Sequence, residues 1–150
     1  MCNKYYDTQA SLGFLTITTN RLMSGYFRKQ LIESGVDLTA EQWGVLAQLW
    51  NRGNIAQDEL AFALCVDKSS ISRVLDVMER KGLVHRKRDP ADARRKVLYA
   101  TPAAEDLKEQ CKIVAESAMD KILHGISEKD HAVCLKVLAR VKDNIRGLTG

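Results

Sequence analysis

From Ala10 to Ser34 apolar residues recur at Leu12, Leu15, Leu22, Met23, Tyr26, Phe27 and Leu31, the spacing of one helical face rather than the alternation of a strand. Gly35 follows and suits the left-handed position that ends a helix. Thr39, Ala40, Glu41 and Gln42 have the form of a capping box, opening a second helix that carries Trp43, Val45, Leu46, Leu49 and Trp50 and runs out near Gly53. A short third helix fits Gln57 to Leu64, and Asp67 suits the N-cap of a fourth that runs to Lys81 and closes at Gly82. Leu83–Arg88 and Lys96–Ala100 are short runs of β-branched and basic residues separated by turn residues, a hairpin. Thr101 then caps another helix with Pro102 at its first position, where the missing N–H costs nothing. Its stripe continues through Leu107, Cys111, Val114, Ala115, Ala118, Ile122 and Leu123 to Gly125. Ser127 caps a last helix bearing Val137, Leu138, Val141, Ile145 and Leu148.

The predicted fold class is mainly α: a winged helix-turn-helix with a two-stranded wing, flanked by long N- and C-terminal helices. Residues 37–101 form the winged part, and 8–34 and 102–150 the outer helices, which are read as dimerisation helices. At 150 residues, 45% of them hydrophobic, the chain is one unit able to bury a core. The outer stripes hold more apolar surface than a winged part of that size can cover, so a second copy of the chain is the simplest partner. No stretch approaches the roughly 20 apolar residues of a membrane span, and the N-terminus lacks the apolar run of a secretory signal. These features predict a cytoplasmic protein with no membrane partner.

Charge sharpens the picture. The whole chain carries only +4, yet residues 67–101 hold ten Lys or Arg against five Asp or Glu, so the remainder is slightly negative. All the net positive charge falls in the fourth helix and hairpin, as expected of a surface that neutralises phosphates. On the fourth helix Ile71, Val74, Leu75 and Met78 share a core face. Lys68, Ser69, Ser70, Ser72, Arg73 and Arg80 are the candidate contacts, small hydroxyls near the start allowing close approach to a major groove. Arg73 is long enough for a guanine edge or a phosphate. Asp76 is expected to pair with Arg73 or Arg80 at helical spacing. In the hairpin the candidates are Arg86, Arg88, Asp92, Arg94, Arg95 and Lys96. Arg94 or Arg95 at the tip suits a narrow minor groove, with Asp92 able to orient the Arg94 guanidinium. A solvated turn with a surface ion pair is the alternative the residues leave open.

The stretch Asp89-Pro90-Ala91-Asp92-Ala93-Arg94-Arg95-Lys96-Val97-Leu98-Tyr99-Ala100-Thr101 resembles the wing signature of the MarR (multiple antibiotic resistance regulator) family. Asp89, Pro90, Asp92, Arg94, Lys96 and Thr101 match it, and Ala100 replaces the usual leucine. Leu60 to Arg73 resembles that family's helix-turn-helix, with Cys65 where glycine is common in the turn, and Glu79 to Val84 its link into the wing. The resemblance implies a homodimer on duplex DNA with a pseudo-palindromic operator. It also implies transcription regulation, usually repression relieved by a small-molecule effector, an oxidant or a metal.

For an effector the candidate pocket is Met23, Tyr26, Trp43, Leu46 and Trp50, closed by Met119, although such sets are more often core than ligand site. The family's peroxide-sensing branch carries a cysteine where this chain has Gly13. Cys2, Cys65, Cys111 and Cys134 form no C-x-x-C pair, and a thiol-sensing regulator is the alternative reading. His131 and Cys134 are spaced to share a helix face, but a pair is too few for a tetrahedral metal site, so neither metal nor cofactor is expected. No phosphate-loop, zinc-protease or serine-hydrolase motif occurs, and no enzyme is predicted. A winged-helix protein-interaction module would share the fold, yet would not explain the segregated charge.

Overall fold

The computed structural model describes residues 8–149. Its elements are α1 (Leu12–Glu33), α2 (Ala40–Arg52), β1 (Ile55–Ala56), α3 (Gln57–Leu64), α4 (Lys68–Arg80), β2 (Val84–Arg88), β3 (Lys96–Ala100), α5 (Pro102–Asp106), α6 (Lys108–Ile122) and α7 (Glu128–Thr149). They gather into two compact units that divide within α6, one ending at Glu116 and the other starting at Ser117.

The helix starts follow their caps. Ser11 accepts the Phe14 N–H at 3.2 Å. Thr39 and Gln42 close the capping box, each side-chain oxygen accepting the other's backbone N–H at 3.2 Å. Asp67 accepts the Ser70 N–H at 2.8 Å, and Thr101 accepts the Ala104 N–H at 3.2 Å. The Thr101 hydroxyl also donates to the Gly82 carbonyl at 2.6 Å, tying the end of the hairpin to the turn after α4.

Two features depart from the expected fold. The wing is part of a three-stranded antiparallel sheet in the order β1-β3-β2, with Ile55 opposite Leu98 and Ala56 opposite Val97. A two-residue strand has no periodicity to read and exists only through its partner. The helix predicted to run unbroken from Pro102 is interrupted at Leu107, whose N–H bonds back three residues to Ala104 at 3.2 Å before α6 resumes. Apolar spacing continues across the break, through Ala104, Leu107, Cys111 and Val114, and so conceals it.

The core of the first unit joins Leu31, Val45, Leu46, Leu60, Ile71, Leu75, Met78, Leu98 and Cys111. Burying each large apolar side chain here stabilises the fold by roughly 1.5–3 kcal/mol. Ile71, Leu75 and Met78 anchor α4, whose opposite side is thereby turned outward. The reversal between α3 and α4 passes through Cys65 at φ 54°, ψ 41°, the one positive φ outside glycine among the described residues. A left-handed L-residue costs roughly 1–2 kcal/mol, which is why glycine suits this turn better.

The outer helices expose much of their stripes. In α1, Leu12, Leu15 and Leu22 lie in solvent and only Leu31 is buried. In the second unit Ser127 caps α7 by accepting the Asp130 N–H at 3.1 Å. Val133, Val137, Leu138 and Ile145 on α7 are all exposed. No helix among the described residues is long and apolar enough to cross a membrane.

Candidate nucleic-acid interface

The start of α4 is organised by Asp67. Its carboxylate accepts from the Ser69 hydroxyl at 2.6 Å and from the Ser70 hydroxyl at 2.6 Å, besides the Ser70 amide. Those hydroxyl bonds, Ser69 first, hold the Asp67 carboxyl well below the usual carboxylate range. Ser69 and Ser70 were expected as small hydroxyls allowing close approach to a major groove. Their protons are instead committed to the cap, leaving their oxygens only as acceptors. Lys68, Arg73 and Arg80 are exposed and Ser72 is half-buried. The Arg73 Nε makes only a 3.4 Å contact to the Ser69 carbonyl of its own helix.

Asp76 does not pair with Arg73 or Arg80. It accepts from Arg86 Nη2 of β2, which also reaches Glu79. Arg86 Nε bonds Glu79 Oε2 at 3.0 Å and the Arg86 N–H bonds Glu79 Oε1 at 2.9 Å. The Glu79 carboxyl is thereby held below, and the Arg86 guanidinium above, their ordinary values, in each case chiefly by the hydrogen bond between them. This corrects the naming of Arg86 as a candidate DNA contact: its side chain is only 14% exposed and its charge is met by Asp76 and Glu79. Its role is to fasten the wing strand to α4. The partner was invisible to helical spacing because it lies on another element, ten residues along the chain.

In the wing turn, Asp92 Oδ1 accepts the Arg94 backbone N–H at 3.0 Å rather than its guanidinium. Asp92 therefore shapes the turn, while the Arg94 side chain stands exposed. The Arg95 guanidinium, expected at the nucleic acid with Arg94, crosses to α3, at 2.6 Å from Glu59 Oε1 and 3.5 Å from Asp58 Oδ1. Arg88 and Lys96 are exposed at the turn end of the hairpin. His85 stacks on Tyr99 with ring centroids 5.2 Å apart, and Lys87 lies 5.3 Å over the same ring.

A cleft of about 280 Å³ brings Gln57, Asp58, Lys68, Ile71, Arg94, Arg95 and Lys96 together. Lys68, Arg94 and Lys96 have no ion-pair partner there or elsewhere among the described residues. The beginnings of α3 and α4 and the wing turn thus converge on one basic recess. Arg73, Arg80 and Arg88 lie outside it.

The residues expected around an effector are placed in different settings. Leu46 is fully buried in the core, Trp43 and Trp50 pack against that core, and Phe27 meets Trp43 edge-on at 4.9 Å. Their aromatic bulk is consumed in packing. Met23 and Tyr26 are half-buried on α1, and Met119 lies in the second unit. A different cavity of about 360 Å³ is lined by Asn20, Ser24, Ala40, Glu41, Gly44, Leu64, Val66, Ser70, Ile71 and Val74, which join α1 and α2 to the front of α4. Of the cysteines, Cys111 is buried, with its thiol pushed up by desolvation, and Cys65 and Cys134 are exposed. Cys2 lies outside the described residues. Among the described residues no three metal-ligating side chains gather, so His131 and Cys134 have no third partner.

The family model for MarR matches residues 38–96, from the approach to α2 through the wing turn to Lys96. Over this segment, somewhat over a third of the chain, the sequence is similar to the MarR family. The uncharacterized HTH-type transcriptional regulator YdgJ of Bacillus subtilis (strain 168) is 27% identical over 116 residues, covering 77% of this chain and 71% of its own. Among solved structures, a mutant MarR from Escherichia coli complexed with operator DNA is 27% identical with a TM-score of 0.78, over 87% of this chain and 92% of that one. A probable transcriptional regulator from Pseudomonas aeruginosa is 26% identical with a TM-score of 0.76, over 87% and 96%. The chain is a DNA-binding transcription regulator similar to those of the MarR family, and the relatives it matches are transcription regulators.

Proposed function

We propose that this MarR-type regulator binds a pseudo-palindromic operator as a homodimer and acts as a repressor released by a small-molecule effector. The observation that carries the reading is the basic recess where the start of α4 and the wing turn meet, with Lys68, Arg94 and Lys96 around it and without an ion-pair partner among the described residues. α4 enters a major groove, where Arg73 reads a base edge while Ser72 and Arg80 lie along the same helix. Lys68, Arg88 and Lys96 neutralise phosphates, and Arg94 enters the neighbouring minor groove. The likeness to a MarR protein complexed with operator DNA supports this docking. Exposed leucines on α1 and exposed Val137, Leu138 and Ile145 on α7 supply the apolar surface that a second copy covers.

The effector's place is the cavity between Asn20 and Ser24 of α1 and Ser70, Ile71 and Val74 of α4. Its lining is apolar with a few polar groups, fitting a small, mainly apolar molecule with one hydrogen-bonding group. An occupant there displaces the helix that enters the groove and so changes the spacing of the two recognition helices in the dimer.

The test is selection of random duplexes on the purified protein, with the mass of the complex from sedimentation. The expected result is an enriched inverted repeat, its half-sites about 10 base pairs apart, bound by two chains. Equal recovery of all sequences, or one chain per duplex, contradicts the reading.

A further inference from the structure

Arg94 and Arg95 are neighbours in the wing turn but differ in what they reach. Arg94 is exposed, whereas the Arg95 guanidinium is held by Glu59 at 2.6 Å and Asp58 at 3.5 Å in the first turn of α3. The Arg95 backbone is also the junction of the turn. Its N–H donates to the Asp92 carbonyl at 2.9 Å, and its carbonyl accepts the Asp89 N–H at 2.9 Å. Whatever holds this side chain therefore holds the turn that carries Arg94, whose own N–H is bonded to Asp92.

We propose that Arg95 is a positioning residue rather than a DNA contact: it latches the wing turn to α3 and so sets where Arg94 meets the strand. The inference rests on the DNA-binding reading above. Asp58 and Glu59 are well placed at a helix start, where the helix dipole favours acids. An Arg95 that left them for a phosphate would leave two carboxylates beside that phosphate, repelling it. A latched turn instead keeps Lys68, Arg94 and Lys96 around the recess without ordering the hairpin anew at each binding event. Among the described residues no other hydrogen bond or ion pair joins the turn to elements beyond β2 and β3.

The test measures affinity for the selected operator across a salt series for four proteins: wild type, Arg95→Gln, Asp58→Asn with Glu59→Gln, and all three changes together. Arg94→Ala is the reference for a direct contact. An exposed ion pair is worth a modest amount, so Arg95→Gln is expected to weaken binding by about threefold to fivefold. The salt slope stays unchanged, and the same substitution has no further effect where Asp58 and Glu59 are already neutral. Arg94→Ala is expected to reduce the slope by about 0.9. The latch is overturned if Arg95→Gln reduces the slope as Arg94→Ala does, if it costs as much in the neutralised background, or if it costs nothing. Amide exchange at Asp89 and Arg95 in the DNA-free protein tests the latch by itself. Faster exchange on losing either side of the pair supports it, and unchanged rates overturn it. A wild type that binds operator and scrambled duplex alike sinks the DNA reading, while the exchange result still decides the latch.

Discussion

Replacing Arg86 with methionine keeps most of the aliphatic stem and removes the charge that joins β2 to α4. The structure gives the magnitude. Arg86 makes charge-assisted bonds to Glu79 and Asp76, and its side chain is 14% exposed against 33% and 46% for the two acids. A hydrogen bond to a charged group contributes about 1.5–3 kcal/mol when well buried. Solvent screening at Asp76 and Glu79 reduces this. The expected loss is therefore about 2 kcal/mol in all, or roughly 4–8 °C in Tm. The sign with pH follows from the titrating partners. Glu79 is depressed on folding, so its contribution is present above its ordinary value of 4.5 and is lost as pH falls through the folded value. Arg86 is raised from an already high value and stays charged throughout. Denaturant unfolding of wild type and variant, at fixed protein concentration, should show the full difference at pH 7 and a narrowing difference below pH 4.5. An undiminished difference at pH 3.5 would refute the ion-pair account and assign the effect to packing of the stem.

Other substitutions test other parts. Arg94→Ala should weaken operator binding while leaving the dimer intact by sedimentation; unchanged affinity would remove Arg94 from the minor groove. Arg73→Ala should relax base preference at one position of each half-site in a repeated selection, whereas a uniform loss across sequences would make Arg73 a phosphate contact. Cys65→Gly should stabilise the protein by about 0.5–1 kcal/mol, since relief of the left-handed turn exceeds the added backbone entropy; a loss of stability would mean the thiol's own contacts outweigh the strain. Leu138→Asp with Ile145→Asp should yield monomers in sedimentation with the circular dichroism of a folded protein, and a retained dimer would exclude this face of α7 from the interface.

Most of the helix boundaries were legible because each start carries its own chemistry. Thr39 with Gln42, Asp67, and Thr101 with Pro102 are local signals, and the structure realises each as a cap. The core face of α4 followed from the spacing of Ile71, Leu75 and Met78. What failed was non-local. β1 exists only because Leu98 and Val97 lie opposite it, and Asp76 found a partner on β2 that helical spacing could not name. Arg95 looked like Arg94 in sequence, since both are arginines in a basic turn, and only the position of α3 separates them. Trp43, Leu46 and Trp50 have the residue types of a ligand site and of a core alike, and packing assigned them to the core. Ser69 and Ser70 stand in the first turn of α4 as the sequence implies, but their hydroxyls are bonded to Asp67.

The start of α4 and the wing turn together form the surface proposed to meet DNA. Amide hydrogen exchange of the free protein and of its complex with the selected duplex tests it most directly. Protection concentrated in the first turns of α4 and in residues 88–96 is the expected result. Protection confined to other segments, or none in a saturated complex, would contradict it.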